Sequence, residues 1–447
     1  MSRLNKEIWG WALYDWANSA YAVSILAVIF QFYFIDVLAT SGADSSGELI
    51  KKVTLFGTTI PSASLWSWSV ALSMIFVALL CPVVGAIADY AGKKKRCLLF
   101  FCYTGAAATM LMICLKTGMW QTGMLLFILS NICFVGGNAV CNGLIVDVAP
   151  SEKEIGFISG FGWAIGYMAS FLMLLFNLLL IHFEIPTREW AIRISFLSVG
   201  IWWAVFAIPT FRWVKEKAKP KPLPEGQTLL TAGFFQLRQT AKSLPRYPVM
   251  LLFIAAYLLY NDGIQTAIAE AATFTNYALN ASLEAIMPAF LMIQLVAFFG
   301  SLAFIQIEKH IGTKRSLLYS LLGWTILIGW ALIMQTLTEF YVMAFFAGLI
   351  LGVSQSASRT IYALLIPPDR AAEFFSLYAI VGKIASVIGP ILFGWGALYA
   401  DRLQNIPLVN TMAAALLPLL IMVILGTLLL LKVDIDRGRA QAKAATH

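Results

Sequence analysis

Apolar residues dominate this chain in runs long enough to cross a bilayer, each closed by a short polar or basic stretch. A helix rises 1.5 Å per residue, so about 20 such residues cross the ~30 Å hydrocarbon layer. Twelve runs meet that length, at roughly 9–36, 65–90, 97–116, 121–148, 155–181, 192–213, 249–276, 285–307, 316–336, 340–366, 373–399 and 408–431. The pattern predicts an all-α membrane protein with twelve transmembrane helices. Between the sixth and seventh runs, KEKAKPKPLPEGQ leads into a weakly amphipathic segment ending at Pro248. The chain therefore divides into a six-helix bundle over 1–214, a linker over 215–247 and a second bundle, with its tail, over 248–447.

The two halves repeat one another. LYDWANSA at 13–20 matches LYNDGIQTA at 259–267, and each places a Tyr followed by an acid or amide early in the first helix of its half. GGNAVCNG at 136–143 corresponds to GVSQSASR at 352–359, each followed by a proline-containing loop. FGWAIGYMAS at 161–170 corresponds to LYAIVGKIAS at 377–386. Three matches in the same order point to a duplicated six-helix unit, which makes two pseudo-symmetric bundles.

Composition narrows the class. The chain is 60% hydrophobic and 12% charged, whereas soluble domains carry about 25% charged residues. The formal charge of +8 sits in short clusters between apolar runs, such as KKKR at 93–96. That distribution follows the positive-inside rule and argues against nucleic acid. It places both termini and the central linker in the cytoplasm; the opposite loops hold Lys51, Lys52, Lys116, Arg188, Arg193 and Arg402. The first run is too long for a signal peptide core and contains an aspartate, so it reads as an uncleaved span. Six cysteines lie in the first third without metal-ligand spacing, and His182, His310 and His447 fall in loops or at the terminus. No cofactor or metal is implied.

An ionisable group inside a span costs roughly 2.5 kcal/mol or more at the helix centre, so it faces a partner or a watery cavity. In the first helix Asp15, Asn18 and Ser19 share one face at i, i+3, i+4 spacing. The fourth helix supplies Asn138, Asn142 and Asp147. The seventh supplies Asn261, Asp262, Gln265 and Glu270, and the tenth Gln355, Ser358 and Arg359. Lys383 on the eleventh helix stands about ten residues from its start. Tyr14 and Tyr260 occupy matched positions beside the polar faces. Asp15 reads either as a proton or cation site or as one half of a permanent ion pair, for example with Arg359. Arg359 and Lys383 either bind a substrate carboxylate or neutralise nearby acids. The glycines of the fifth and eleventh helices, among them Gly166, Gly382 and Gly389, read as places of close helix contact.

GAIADYAGKKKR after the second helix, with two six-helix halves and a long central loop, resembles the major facilitator superfamily over the whole chain. Its loop pattern is met by Gly85, Asp89, Gly92, Lys93, Lys94 and Arg96. Tyr90 stands where a basic residue is usual, and Lys309 replaces the aspartate in the second-half copy IEKHIGTKR. LYDWANSAY, LYNDGIQT, QSASR and EFFSLYAIVGK are similar to the branch containing the fungal vacuolar amino-acid effluxers and bacterial relatives. The resemblance implies secondary transport, a cavity lined by helices 1, 4, 7 and 10 and an amino-acid-like substrate. It also implies a cytoplasmic gate in which Asp147 pairs with the basic residues after Gly92, while Asp89 faces the N-terminus of helix 11.

No histidine set, Ser/His/Asp arrangement or metal cluster suits a membrane-embedded enzyme, and a scaffold has no need of a duplicated polar cavity. Two-fold repeats suit alternating access better than a passive channel. Acids and bases in one cavity suit a substrate bearing both charges. The expectation is a monomeric, proton-coupled carrier of small zwitterionic solutes in a bacterial inner membrane, with the bilayer as its other partner. The runner-up is a carrier of an anionic metabolite or siderophore-type compound, driven by Arg359 and Lys383. The charge distribution makes a topological prediction: cysteines introduced near Pro222 and after Lys432 become labelled only from the cytoplasmic side. Labelling of either from outside would overturn the orientation.

Overall fold

The computed structural model describes residues 5–42, 50–55, 57–90, 93–149, 152–217, 223, 226–366, 371–399 and 412–444. Within them the backbone alone is described at 85–90, 301–309, 383–385 and a few shorter stretches. The molecule divides into two compact units. The first is Met1–Gly233 with Ser282–Gln294, and the second is Phe234–Ala281 with Leu295–His447.

The described residues hold the twelve expected helices. In the first half these are α1 (Lys6–Leu38), α2 (Ser62–Tyr90), α3 (Lys94–Cys114), α4 (Trp120–Gly143), α5 (Glu152–His182) and α6 (Arg188–Trp213). In the second they are α7 (Pro248–Ala269), α8 (Leu283–Ile311), α9 (Thr313–Ala331), α10 (Leu337–Leu365), α11 (Ala371–Leu398) and α12 (Ala413–Leu431). Ten of the segments are long and apolar enough among the described residues to cross a membrane. α9 begins with Lys314 and Arg315, which lower its apolar character, and the apolar part described for α11 is Ser386–Leu398.

Several helices depart from the continuous rods that hydropathy predicts. α1 contains two π-helical stretches, Ala22–Val28 and Phe34–Leu38. α4 stops at Gly143 and resumes as the single turn Ile145–Val148, since glycine weakens the helix there. α6 breaks at Ala207 just before Pro209, which lacks the amide a helix interior needs. α7 breaks at Glu270 and continues as Ala271–Leu279.

α6 also starts at Arg188 rather than near 192. Thr187 caps it by accepting the Trp190 amide at 3.4 Å, and Glu189 suits the positive end of the helix dipole. Arg193, expected in an outer loop, is therefore buried one turn inside α6. It pairs with Glu189 at 3.3 Å and lies 4.9 Å over the Trp190 ring.

A short antiparallel hairpin, β1 (Lys52–Leu55) with β2 (Thr58–Pro61), departs from the all-helical expectation. It is fastened to the end of α1 by a Lys51–Asp36 ion pair of 2.9 Å and by the Ser62 hydroxyl on the Ala39 carbonyl. A further helix, Leu229–Ser243, fills the amphipathic part of the linker.

Packing within each unit relies on small residues that let backbones approach. A Cβ at Gly426 of α12 would stand 2.6 Å from the Tyr260 nitrogen and 2.8 Å from the Ala256 carbonyl oxygen of α7. At Gly200 of α6 it would stand 2.8 Å from the Ala106 carbonyl oxygen of α3. Backbone cannot move aside as a flexible side chain can, so bulk here forces the helices apart. Gly426→Val should destabilise the protein by about 1–3 kcal/mol, read as a lower unfolding midpoint in detergent. Gly329→Ala, where a Cβ meets nothing within 4 Å, serves as the neutral control. Equal midpoints for the two variants would rule out the close-packing account.

Candidate functional site

In the first unit, α1 presents its polar face to α4 and α5. The Asn18 amide donates to the Asn138 side-chain carbonyl, joining α1 to α4. Asp15 faces α5 at Gly162, where a Cβ would collide with its Oδ2 and stand 2.8 Å from the Trp11 ring. One turn on, a Cβ at Gly166 would stand 2.7 Å from the Ser19 hydroxyl. The Ser170 hydroxyl donates to the Ser19 carbonyl at 3.0 Å, and the Trp11 indole donates to the Cys141 carbonyl at 2.7 Å. The glycines of α5 are what allow a carboxylate to sit between two helices. Tyr14 is fully buried with its hydroxyl over Gly137, while Asn142 is exposed.

The second unit builds a comparable arrangement from different partners. Asp262 on α7 is fully buried. Its Oδ2 accepts the Gly389 backbone amide of α11 at 2.8 Å, and its Oδ1 accepts the Thr266 hydroxyl at 3.3 Å. A Cβ at Gly389 would stand 2.6 Å from that Oδ1, so only glycine leaves room for the carboxylate. Gln355 of α10 donates to the Asn261 side chain at 3.3 Å, and the Tyr260 and Ser358 hydroxyls are 2.7 Å apart. Tyr260, like Tyr14, is buried and in this conformation has no surface to offer a solute. Gln265 is partly buried, Glu270 is buried at the break in α7, and Arg359 is exposed on α10. Lys383 lies on α11 with its side chain outside the described residues.

Asp147 sits in the turn after α4 and is almost fully buried. Its Oδ2 accepts the Lys94 ammonium at 3.0 Å, and the same ammonium reaches the Gly143 carbonyl at 3.1 Å. Its Oδ1 accepts the Lys217 backbone amide at 3.1 Å. Residues 214–217, just past α6, thus form a strap across this end of the bundle. Val214 is buried under it, Glu216 accepts the Lys95 amide, and the Lys217 ammonium pairs with Glu7. Lys93 and Arg96 are exposed. The side chain of Asp89 and the position of Gly92 lie outside the described residues, as does the environment of Gly85.

Three features escaped the sequence reading. Gly389 and Lys217 act through backbone amides, which no residue type announces. The polar pair Asn131–Ser73 (2.7 Å) and the chain Ser24–Asn177–Ser198 (3.2 and 3.1 Å) put further amides inside the bundle, the second joining α1 to α5 and α6. An asparagine in the middle of a predicted span was the signal that could have found them. An ion pair of 2.9 Å between Arg188, at the start of α6, and Glu284, in the first turn of α8, also lies within the first unit.

The family described as vacuole effluxer Atg22 like matches residues 3–443 of this chain. The chain belongs to that family. An MFS-type transporter of Bacillus subtilis (strain 168), YxiO, is 30% identical over 397 residues, covering 88% of each chain. Autophagy-related protein 22 of Eremothecium gossypii is 25% identical over 450 residues, covering 91% of this chain and 87% of its own. Among solved structures, a D-xylose-proton symporter superposes with a TM-score of 0.67 at 13% identity, covering 97% of this chain and 98% of its own. The nucleoside transporter NupG superposes at 0.64 and 13% identity, covering 96% and 100%. The Atg22-like chain described here is therefore a multi-pass membrane transporter with the major facilitator fold, and not an enzyme.

The Lys94–Asp147 pair generates a prediction. Removing one partner of a buried pair leaves an uncompensated charge and costs about 3–5 kcal/mol, whereas replacing both by apolar residues is close to neutral. Lys94→Met alone should lower the unfolding midpoint sharply, and Lys94→Met with Asp147→Leu should recover most of the loss. A double variant as unstable as the sum of its singles would mean the two side chains act independently.

Proposed function

We propose that this Atg22-like protein is a secondary active carrier that moves a small amino-acid-like zwitterion by alternating access, coupled to protons, in a bacterial inner membrane with both termini cytoplasmic. One observation carries the reading: in each bundle the first helix seats a carboxylate, Asp15 or Asp262, against a glycine of the fifth helix, beside amide side chains. A group held at a helix–helix contact changes its partners when those helices shift. Its charge can then depend on which side is open, as coupling requires. Asn18, Asn138, Asn261 and Gln355 offer uncharged hydrogen bonds for a polar solute. Arg359, exposed on α10, can meet its carboxylate with a bidentate fork. The description of the family as effluxers is consistent with a solute carrier of this kind.

In this reading the Lys94–Asp147 pair, with the strap at Lys217 and the neighbouring Lys93, Arg96 and Asp89, closes the cytoplasmic side in one of the two states. Its opening accompanies the return of the empty carrier. The exposure of Arg359, against the burial of Asp262, favours as second reading a purely anionic metabolite.

The test uses purified protein in proteoliposomes with labelled amino acids and labelled anionic metabolites, with and without a pH gradient. Asp15→Asn should abolish gradient-driven accumulation yet leave downhill counterflow measurable, because exchange of bound solute needs no net proton movement. Asn18→Ala should weaken apparent affinity instead. Full gradient-driven uptake by Asp15→Asn would remove that carboxylate from coupling, and uptake confined to anions would establish the second reading.

A further inference from the structure

The linker helix Leu229–Ser243 carries a surface that the transport reading does not use. At 100° per residue, Phe234, Arg238, Lys242 and Phe235 fall within an arc of about 100° on one side of this helix. All four are exposed: Phe234 and Phe235 keep 44% and 37% of their surface, and Arg238 and Lys242 point to solvent with them. Arg246, exposed in the turn that follows, extends the basic side. Outside that arc, Ala232 and Gly233 are buried. Gly233 lies against α2, so close that a Cβ there would overlap the Pro82 carbonyl and stand 3.2 Å from the Pro82 Cα. The helix is thus held by its small residues and turns an aromatic and basic side outward.

The height of that docking point matters. α2 has 29 residues, about 44 Å at 1.5 Å per residue, whereas the hydrocarbon layer is ~30 Å thick. Pro82 stands eight residues before Tyr90, the last residue of α2, about 12 Å along the helix. The linker helix therefore docks on the last third of α2, at the end followed by the basic cluster KKKR at 93–96. Charge points the same way. From Arg212 to Arg246 the chain carries eight Lys or Arg and two Glu, which is six of its eight net positive charges. Exposed phenylalanines beside cations at that end match an interfacial helix, with rings at the acyl boundary and stems lying along it while the charged heads reach phosphates.

We propose that the Leu229–Ser243 helix is a lipid-binding element: Phe234 and Phe235 insert into the leaflet, and Arg238, Lys242 and Arg246 bind the phosphates of anionic lipids. The occupant of this face is the membrane surface itself. Because the same linker begins with the strap that reaches Asp147 through Lys217, anionic lipid also tethers the segment that fastens that end of the first bundle.

The experiment uses the full chain in vesicles of phosphatidylcholine alone or with phosphatidylglycerol. A single environment-sensitive fluorophore is placed at Phe235→Cys in a background with the native cysteines changed to serine, and quencher-bearing lipids report insertion. Each basic residue near an anionic surface shifts such an equilibrium about fivefold. The ratio of inserted to withdrawn helix should therefore rise on the order of 100-fold with phosphatidylglycerol. It should fall again in high salt and in the Arg238→Gln, Lys242→Gln, Arg246→Gln triple variant, whose substituted side chains are all exposed. Phe234→Asp, with the three cations intact, should withdraw the probe in both kinds of vesicle. Equal quenching in the two kinds of vesicle, or an unchanged lipid response in the triple variant, would overturn the proposal. So would displacement of the probe by soluble glycerol phosphate, which would assign the cations to free phosphate, or withdrawal caused by a soluble protein competing for the face.

Discussion

A carboxylate taken out of water has to find its hydrogen-bond donors in the protein around it, and in this molecule each bundle supplies them from its own helices. Asp262 takes a hydroxyl and a backbone amide from α7 and α11, and Asp147 takes an ammonium and a backbone amide from α3 and the strap. Those demands dictate the surroundings. Gly389 must lack a side chain for Asp262 to reach its amide, and Pro390, one residue on, removes a backbone donor from α11 at that level. Gly162 must lack one for Asp15 to lie between α1 and α5. The glycines are therefore tied to the acids, and the close helix contacts follow from that tie as much as from packing.

The two bundles meet this demand at different distances from the starts of their helices. Asp15 is nine residues into α1 and Asp262 fourteen into α7, roughly 14 and 21 Å along their helices. On the repeat, Gly162 corresponds to Tyr378 rather than Gly389, so the second acid sits about three turns further along its partner helix. Duplication conserved the device of acid against glycine but moved its position.

Helix number, the repeat and the polar residue types were legible because each rests on what side chains prefer: apolar runs for lipid, cations for one side, ionisable groups for a partner. The breaks were not. The π turns of α1 and the interruptions at Leu144 and Glu270 leave hydropathy untouched, since the residues on either side are as apolar as a straight helix needs. The hairpin at 52–61 is too short to compete with twelve spans in a pattern of that length. Arg193 was misplaced because an arginine near a span end looks like a loop residue, whereas its stem lies buried and its charge is met by Glu189 one turn away. Of the candidate site, Asp15, Asn18 and Asp262 stood out in the sequence as polar groups inside spans. Their partners Gly162 and Gly389 could not be assigned, because a missing side chain and a backbone amide give no chemical signal of their own.

The order in which the chain is synthesised gives the strap at Lys217 a further meaning. Lys94 and Lys217, which both hold Asp147, are synthesised before the first residue of α7. Domains fold as units, N-terminal part first, during synthesis, so that end of the first bundle can close while the second half does not yet exist. The Arg188–Glu284 pair forms later, since Ser282–Gln294 follow α7 in the chain. A chain truncated after the linker would keep the Lys94 and Lys217 contacts to Asp147 but lack Glu284, the partner of Arg188.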